Sequence, residues 1–119
     1  MSIEKDETAR LIASNKVEGT DVYDRSGEHL GEVYNFMVDK FTGHVSYAVM
    51  SFGGFLGLGE RYHPLPWKAL TYDPGQGGYV VDITTEKLKA APSHARDEDP
   101  WLDSVYAGKL NDYWGGAPV

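Results

Sequence analysis

The fold is decided by a glycine-rich segment between two stretches of β-strand character: Ser51-Phe52-Gly53-Gly54-Phe55-Leu56-Gly57-Leu58-Gly59-Glu60. Its four glycines are interspersed with three large apolar side chains. Glycine is unfavourable inside a strand, because it loses more backbone entropy than other residues and has no side chain to pack. We therefore predict a shaped turn in which at least two of Phe55, Leu56 and Leu58 fold back over one end of a small β-core.

The chain on both sides of this turn alternates between short apolar stretches and turn residues. Gly27 and Gly43 are each expected to adopt a positive φ in a tight turn. Strands are predicted over residues 20–24, 29–39, 45–52, 61–67, 68–72 and 78–83.

The second of these strands changes phase along its length. Val33 occupies an odd-numbered position, whereas Phe36 and Val38 occupy even-numbered ones, so a regular strand would place them on opposite faces of the sheet. We therefore predict a β-bulge near residues 34–35. Bulges bend strands, and bent strands allow a small sheet to close. The pattern predicts an all-β fold, a small and highly bent β-barrel of about six strands with a short C-terminal helical tail.

Two prolines, Pro64 and Pro66, follow the glycine-rich turn at a spacing of two residues. Proline has no amide hydrogen to donate to a neighbouring strand. The segment that contains them is therefore predicted to be an edge strand or an extended crossing piece.

The C-terminal region combines helix signals with an excess of aromatic side chains. Thr84 or Thr85 is expected to cap one short helix, and Asp99 before Pro100 is expected to cap a second. Gly108 is expected to interrupt that second helix. Indole and phenol rings are common anchors at protein interfaces, and this tail carries Trp101, Tyr106, Tyr113 and Trp114.

Composition restricts the class of protein. The chain of 119 residues has room for one domain, and its formal net charge is −7, from 18 acidic and 11 basic residues. The basic residues are scattered singly, so no binding to nucleic acid is expected. No cysteine is present, which excludes disulfides and thiolate chemistry. No apolar run is long enough to span a bilayer and no signal peptide is evident, so a cytoplasmic location is expected.

Several motifs together resemble the PRC-barrel domain, a family named after the cytoplasmic barrel of the photosynthetic reaction centre H subunit. The resemblance covers residues 14–92, and more narrowly it is to small stand-alone PRC-barrel proteins of α-proteobacteria. The matching segments are Asp21-Val22-Tyr23, Gly27-Glu28-His29-Leu30-Gly31-Glu32-Val33, Val38-Asp39, Thr42-Gly43, Val45-Ser46-Tyr47-Ala48-Val49, Gly53-Gly54-Phe55-Leu56-Gly57 and Pro66-Trp67-Lys68-Ala69-Leu70.

The resemblance implies a bent barrel of about six strands that serves as a scaffold for protein interactions. The chain lacks the N-terminal transmembrane helix of the H subunit and the additional barrel of the ribosome maturation factor RimM, another member of the family. The specialised roles of those two relatives are therefore not carried over.

No pattern in the sequence indicates catalysis. The glycine-rich turn lacks the lysine of a phosphate-binding loop, and its glycine spacing reverses the dinucleotide fingerprint. The four histidines lack the spacing of a helical zinc site, although His63 with Glu60 comes nearest to a metal or proton-transfer site. We expect no enzyme activity, no cofactor and no bound metal.

Three segments are predicted: a flexible N-terminal segment over residues 1–13, the barrel domain over 14–92, and an acidic linker with an aromatic helical tail over 93–119. The leading hypothesis is a non-enzymatic, homodimeric protein-interaction module. The interaction residues expected are Phe55, Leu56, His63, Trp101, Tyr106 and Trp114.

Two alternatives remain open at this point. The first is an accessory protein that associates peripherally with a photosynthetic or respiratory membrane complex and assists its assembly or its proton transfer, with a contribution from His63. The second is a barrel that binds a small ligand. The sequence does not identify the protein partner.

Overall fold

A computed structural model describes residues 7–52 and 60–115. Residues 53–59 of the glycine-rich turn lie outside this range, so the prediction that two of Phe55, Leu56 and Leu58 fold over the core stays a prediction. The elements in chain order are helix α1 (Ser14–Val17), strands β1 (Asp21–Asp24), β2 (His29–Val38), β3 (Val45–Phe52) and β4 (Arg61–Pro66), a 3₁₀ turn (Trp67–Ala69), strands β5 (Leu70–Asp73) and β6 (Gly78–Val81), and helices α2 (Thr85–Ala90) and α3 (Ser104–Trp114).

The six strands form one sheet in the order β4-β3-β2-β1-β6-β5, which curls into a half-barrel. All neighbouring strands are antiparallel except β1 and β6, which are parallel. The all-β fold class predicted from the sequence is confirmed. Strand β4 stands at one end of the order, as its two prolines predict.

The turn and bulge predictions also agree with the structure. The pairing of β2 with β3 shifts register between Val33 and Asn35, where the change of phase indicated a bulge. Gly27 and Gly43 both have a positive φ, at 89° and 80°. The amide of Gly43 donates to the carbonyl of Asp39 at 2.9 Å, which closes the β2–β3 turn.

The core is built mainly from aliphatic side chains of most strands and of α1 and α2. Thr84 is the N-cap of α2, since its hydroxyl accepts a hydrogen bond from the amide of Lys87 at 3.1 Å. This cap places Leu88 in the core. The central buried residues are Val17, Val22, Leu30, Val33, Met50, Leu65, Tyr79, Val81 and Leu88.

Two expectations about the last helix are wrong. Its N-cap is Asp103 rather than Asp99, because the Asp103 carboxylate accepts a hydrogen bond from the amide of Val105 at 2.9 Å. The preceding residues form a turn in which the amide of Asp103 donates to the carbonyl of Pro100 at 3.0 Å. The helix also continues through Gly108 to residue 114. A single glycine costs a helix only about 1 kcal/mol, which packing of the helix on the barrel can offset.

Two Gly→Ala substitutions are expected to have opposite effects. A Cβ atom on Gly31 would overlap the backbone carbonyl of Ser51 on the neighbouring strand, so Gly31→Ala should destabilise the protein by more than about 2 kcal/mol. A Cβ atom on Gly108 meets nothing within 4 Å, so Gly108→Ala should stabilise it by about 0.5–1 kcal/mol. Urea titrations measure both changes. A neutral Gly31→Ala would contradict the register of β2 against β3.

Candidate functional site

The segment after α2 turns back and attaches to β4. We call residues 93–115 the C-terminal arm. The amide of Tyr62 donates to the carbonyl of His94 at 2.9 Å, and the amide of His94 donates to the carbonyl of Tyr62 at 3.0 Å. These two bonds form an isolated antiparallel bridge. The arm therefore continues the sheet by one residue pair beyond its edge.

The prolines explain why the attachment is limited to one pair. The backbone groups of alternate residues in a strand point to the same side. Since those of Tyr62 point away from β3 towards the arm, Pro64 and Pro66 occupy the other outward positions of β4. Neither proline has an amide hydrogen, so Tyr62 supplies the one outward amide among these three positions.

His94 lies at the centre of an aromatic cluster. Its ring stacks on that of Tyr62 at a centroid distance of 6.0 Å, and it meets the rings of Trp101 and Tyr106 edge-on at 6.0 and 5.8 Å. Its Nδ1 atom lies 2.9 Å from the Tyr106 hydroxyl. Trp101 also reaches Tyr47 of β3 at 5.8 Å. The arm therefore packs on its own barrel through aromatic rings from both sides of the joint.

Two arginines add polar contacts at the rim of this cluster. Arg61 donates from Nε to the Ser93 hydroxyl at 3.1 Å and from Nη2 to the Ser93 carbonyl at 3.2 Å. Arg96 donates from Nε to the Tyr62 hydroxyl at 3.0 Å. Both guanidinium groups are solvent-exposed, so these contacts orient the arm more than they stabilise it.

His63 is the most unusual polar residue of the site. Its ring is only 2% exposed, its Nδ1 atom has no hydrogen-bond partner among the described residues, and it meets Phe52 edge-on at 5.6 Å. Burial lowers the pKa of His63 to about 4, and Arg61 and His94 act in the same direction. His63 is therefore a neutral imidazole at physiological pH.

Burial shifts the titration of two further groups at the joint. It lowers the pKa of His94, with Arg61 reinforcing the shift and Glu98 and Asp99 opposing it. It raises the pKa of Tyr106 to about 12, so this phenol stays protonated. His94 and Tyr106, whose Nδ1 and hydroxyl atoms are 2.9 Å apart, are consequently both uncharged at neutral pH.

The far end of the arm is anchored separately. Leu110 is fully buried, and Trp114 packs against the core. The Lys87 ammonium lies 5.7 Å from the centroid of the Trp114 ring, and the Tyr113 hydroxyl donates to the carbonyl of Lys87 at 2.5 Å. These contacts hold the end of α3 against α2.

The residues predicted to form an interaction site thus separate into groups. Trp101 and Tyr106 come together around His94, and His63 lies one residue from the pairing partner Tyr62. Trp114 lies at the far end of the arm. Phe55 and Leu56 lie outside the described residues. Whether any of them contacts a partner stays a prediction.

Sequence reasoning missed His94, which is central to the site. It was placed in a linker, because proline, serine and charged residues surround it. The signal that could have identified it is the unmatched edge of β4. A strand with prolines at alternate positions leaves one outward backbone pair to satisfy, and a nearby extended residue can supply the partner.

Two open grooves lie near Arg25 and Asp82. Their volumes are about 500 and 580 Å³. Charged side chains of both signs line them, and Arg25 approaches Asp82 at 3.6 Å across an exposed surface. Both grooves are open, whereas small-ligand sites typically enclose most of the ligand surface.

Within residues 7–52 and 60–115, no group of three or more histidine and acidic side chains could hold a metal ion. In the same part of the chain, no helix has the length and apolar character needed to cross a bilayer.

A family comparison agrees with this architecture. The family model of the PRC-barrel domain matches residues 10–88. Since the match covers more than half of the chain, the chain belongs to the PRC-barrel family. A search of curated proteins found no match to it. The matched region ends before the C-terminal arm begins.

Stability should fall in acid because of His63. A depressed pKa means that the folded state resists a proton that the unfolded state binds, so the contribution is fully present above about pH 6.5 and is lost as pH falls towards 4. The loss from this group is about 3 kcal/mol. We expect His63→Leu to remove that part of the pH dependence in urea titrations at several pH values.

His44→Gln is the matched control, because His44 is exposed. It should retain the wild-type dependence of unfolding free energy on pH. The prediction is wrong if the His63→Leu and wild-type curves run parallel between pH 7 and pH 4.

Proposed function

We propose that this PRC-barrel is a non-enzymatic, cytoplasmic protein-interaction module and that one of its partners is a second copy of the same chain. The observation that supports this proposal is that two large apolar side chains are almost fully exposed to solvent. Phe41 is 99% exposed and Leu102 is 98% exposed, and both stand on ordered turns. Aromatic and aliphatic side chains held in this manner are typical anchors for a protein partner.

The turn that carries Phe41 is fixed by one carboxylate. Oδ1 of Asp39 accepts hydrogen bonds from the amides of Phe41 at 2.8 Å and of Thr42 at 3.0 Å. These bonds lower the pKa of Asp39, so the carboxylate is charged at neutral pH and the turn is stable. A side chain that is already positioned loses less entropy on binding, which favours a role as an anchor.

Leu102 is displayed in a comparable way. It lies in the turn closed between Pro100 and Asp103, directly after Trp101, which packs on Tyr47. Burying either Leu102 or Phe41 against a partner would contribute about 2 kcal/mol. Val105, on the first turn of α3, adds a third exposed apolar side chain.

The described residues favour binding over the two alternatives. A proton-transfer group needs access to a donor and an acceptor, whereas His63 is buried and its Nδ1 atom has no partner among the described residues. The two grooves are open and carry charged side chains of both signs, whereas small-ligand sites are typically enclosed and mostly apolar.

Sedimentation velocity at tens of micromolar tests self-association. We expect a dimer for the full-length protein, and Phe41→Ser and Leu102→Ser should each shift it towards the monomer without changing the circular dichroism spectrum. Leu11→Ser, at an exposed leucine on the N-terminal side of the barrel, is the control and should sediment as wild type. A wild-type monomer under these conditions would overturn the homodimer.

A crosslinking experiment tests the broader binding role. A photoreactive phenylalanine analogue in place of Phe41 should give one discrete adduct in the native host, either with a second copy or with another protein. The same analogue at Tyr72, which is exposed on β5, controls for random collisions. Equal and diffuse labelling from both positions would contradict the proposal.

A further inference from the structure

A buried histidine lies where the arm joins the barrel. His94 pairs with Tyr62 through the backbone, and its ring stacks on Tyr62 and lies 2.9 Å from the Tyr106 hydroxyl through Nδ1. His94 is 8% exposed. We propose that the arm is a pH-sensitive strap, which a neutral His94 keeps closed on β4 and which opens when this ring is protonated.

The charged and titratable groups around this ring set the direction of the response. Burial and Arg61 oppose a proton on His94, whereas Glu98 and Asp99 favour one, and the pKa of His94 is lowered on balance. The groups that face His94 are Arg61 and Tyr62 from β4, Tyr106 from α3, and Glu98 and Asp99 from the segment before α3. His63 lies on the core-facing side of β4 beside its pairing partner Met50 and is not part of the trigger.

The joint opens because protonation would bury a positive charge, and not because one hydrogen bond is lost. A phenol oxygen both donates and accepts, so the contact of Tyr106 with Nδ1 of His94 can survive protonation of the ring. A positive charge on His94 in this aromatic cluster loses its hydration, and Arg61 repels it. Opening the joint returns the protonated His94 ring to water.

The opening is local, because the two ends of the arm are held by different forces. The joint at His94 is titratable, whereas Leu110 and Trp114 hold the far end of α3 on the core through apolar contacts that do not depend on pH. Protonation therefore lifts residues 93–106 and leaves the end of α3 in place. It uncovers the Tyr62 side of β4, which the arm buries in the closed state.

This strap goes beyond the proposed binding function and operates whether or not the barrel has a partner. The sign follows from the lowered pKa of His94. The closed state is favoured above about pH 6.5, the ordinary pKa of histidine, and is progressively lost below it.

Residue-resolved amide hydrogen exchange on the full-length protein tests the strap. The amides of Tyr62 and His94 report on the joint, and the amides of the β2–β3 ladder report on the barrel. Between about pH 7.5 and about pH 5 the protection factors at the joint should fall roughly tenfold or more, and by more than those of the ladder. Protection that persists at the joint, or that is lost equally in the ladder, would overturn the strap.

His94→Asn supplies the matched variant, because an amide in this position can still contact Tyr106 but does not titrate. Its joint should stay protected at about pH 5, and His44→Gln should behave as wild type. Opening of the His94→Asn joint to the wild-type extent would overturn the proposal.

Should His94→Asn fail to fold, ring resonances of the wild-type protein provide the test. The His94 ring should titrate together with the opening of the joint. A joint that opens at a pH where the His94 ring remains neutral would refute the strap.

Discussion

The backbone groups of Tyr62 form two hydrogen bonds with those of His94, and the position of the C-terminal arm depends on this pair. The constraint comes from β4, whose remaining outward positions are prolines. An edge strand with free amides invites pairing with other chains, and proline removes that hazard. The same prolines leave one place where the arm can be attached, so edge protection and arm docking have a common cause.

The pair gains its strength from what surrounds it. Aromatic rings from β3, β4 and the arm surround the joint, and the resulting burial of His94 lowers its pKa and keeps it neutral. With an uncharged ring the joint is closed, whereas a protonated His94 would place a buried positive charge near Arg61. Because a histidine is buried where the arm contacts the edge strand β4, this contact is stable at neutral pH and weak in acid. Phe41, by contrast, is displayed on the β2–β3 turn by a carboxylate that is ionised at neutral pH.

Much of the barrel could be predicted from local patterns. The change of phase after Val33 identified a bulge, Gly43 identified a turn with positive φ, and the proline spacing placed β4 at an edge. Each signal is carried by a few adjacent residues. The start of α3 in the arm was harder to predict, because two possible capping residues compete for it. Asp103 caps α3 since its carboxylate reaches the amide of Val105, and no local preference separates it from Asp99. The role of His94 depends on a strand that lies 32 residues earlier in the chain, a distance beyond any local periodicity.

The central claim is that each arm closes on its own barrel. Nuclear Overhauser spectroscopy on an equal mixture of isotope-labelled and unlabelled protein tests it directly, through the rings of Trp101 and Tyr47. The account predicts a contact between these rings within labelled molecules and no contact between labelled and unlabelled ones. An intermolecular contact between Trp101 and Tyr47 would contradict it and would show that the arms are exchanged between two copies.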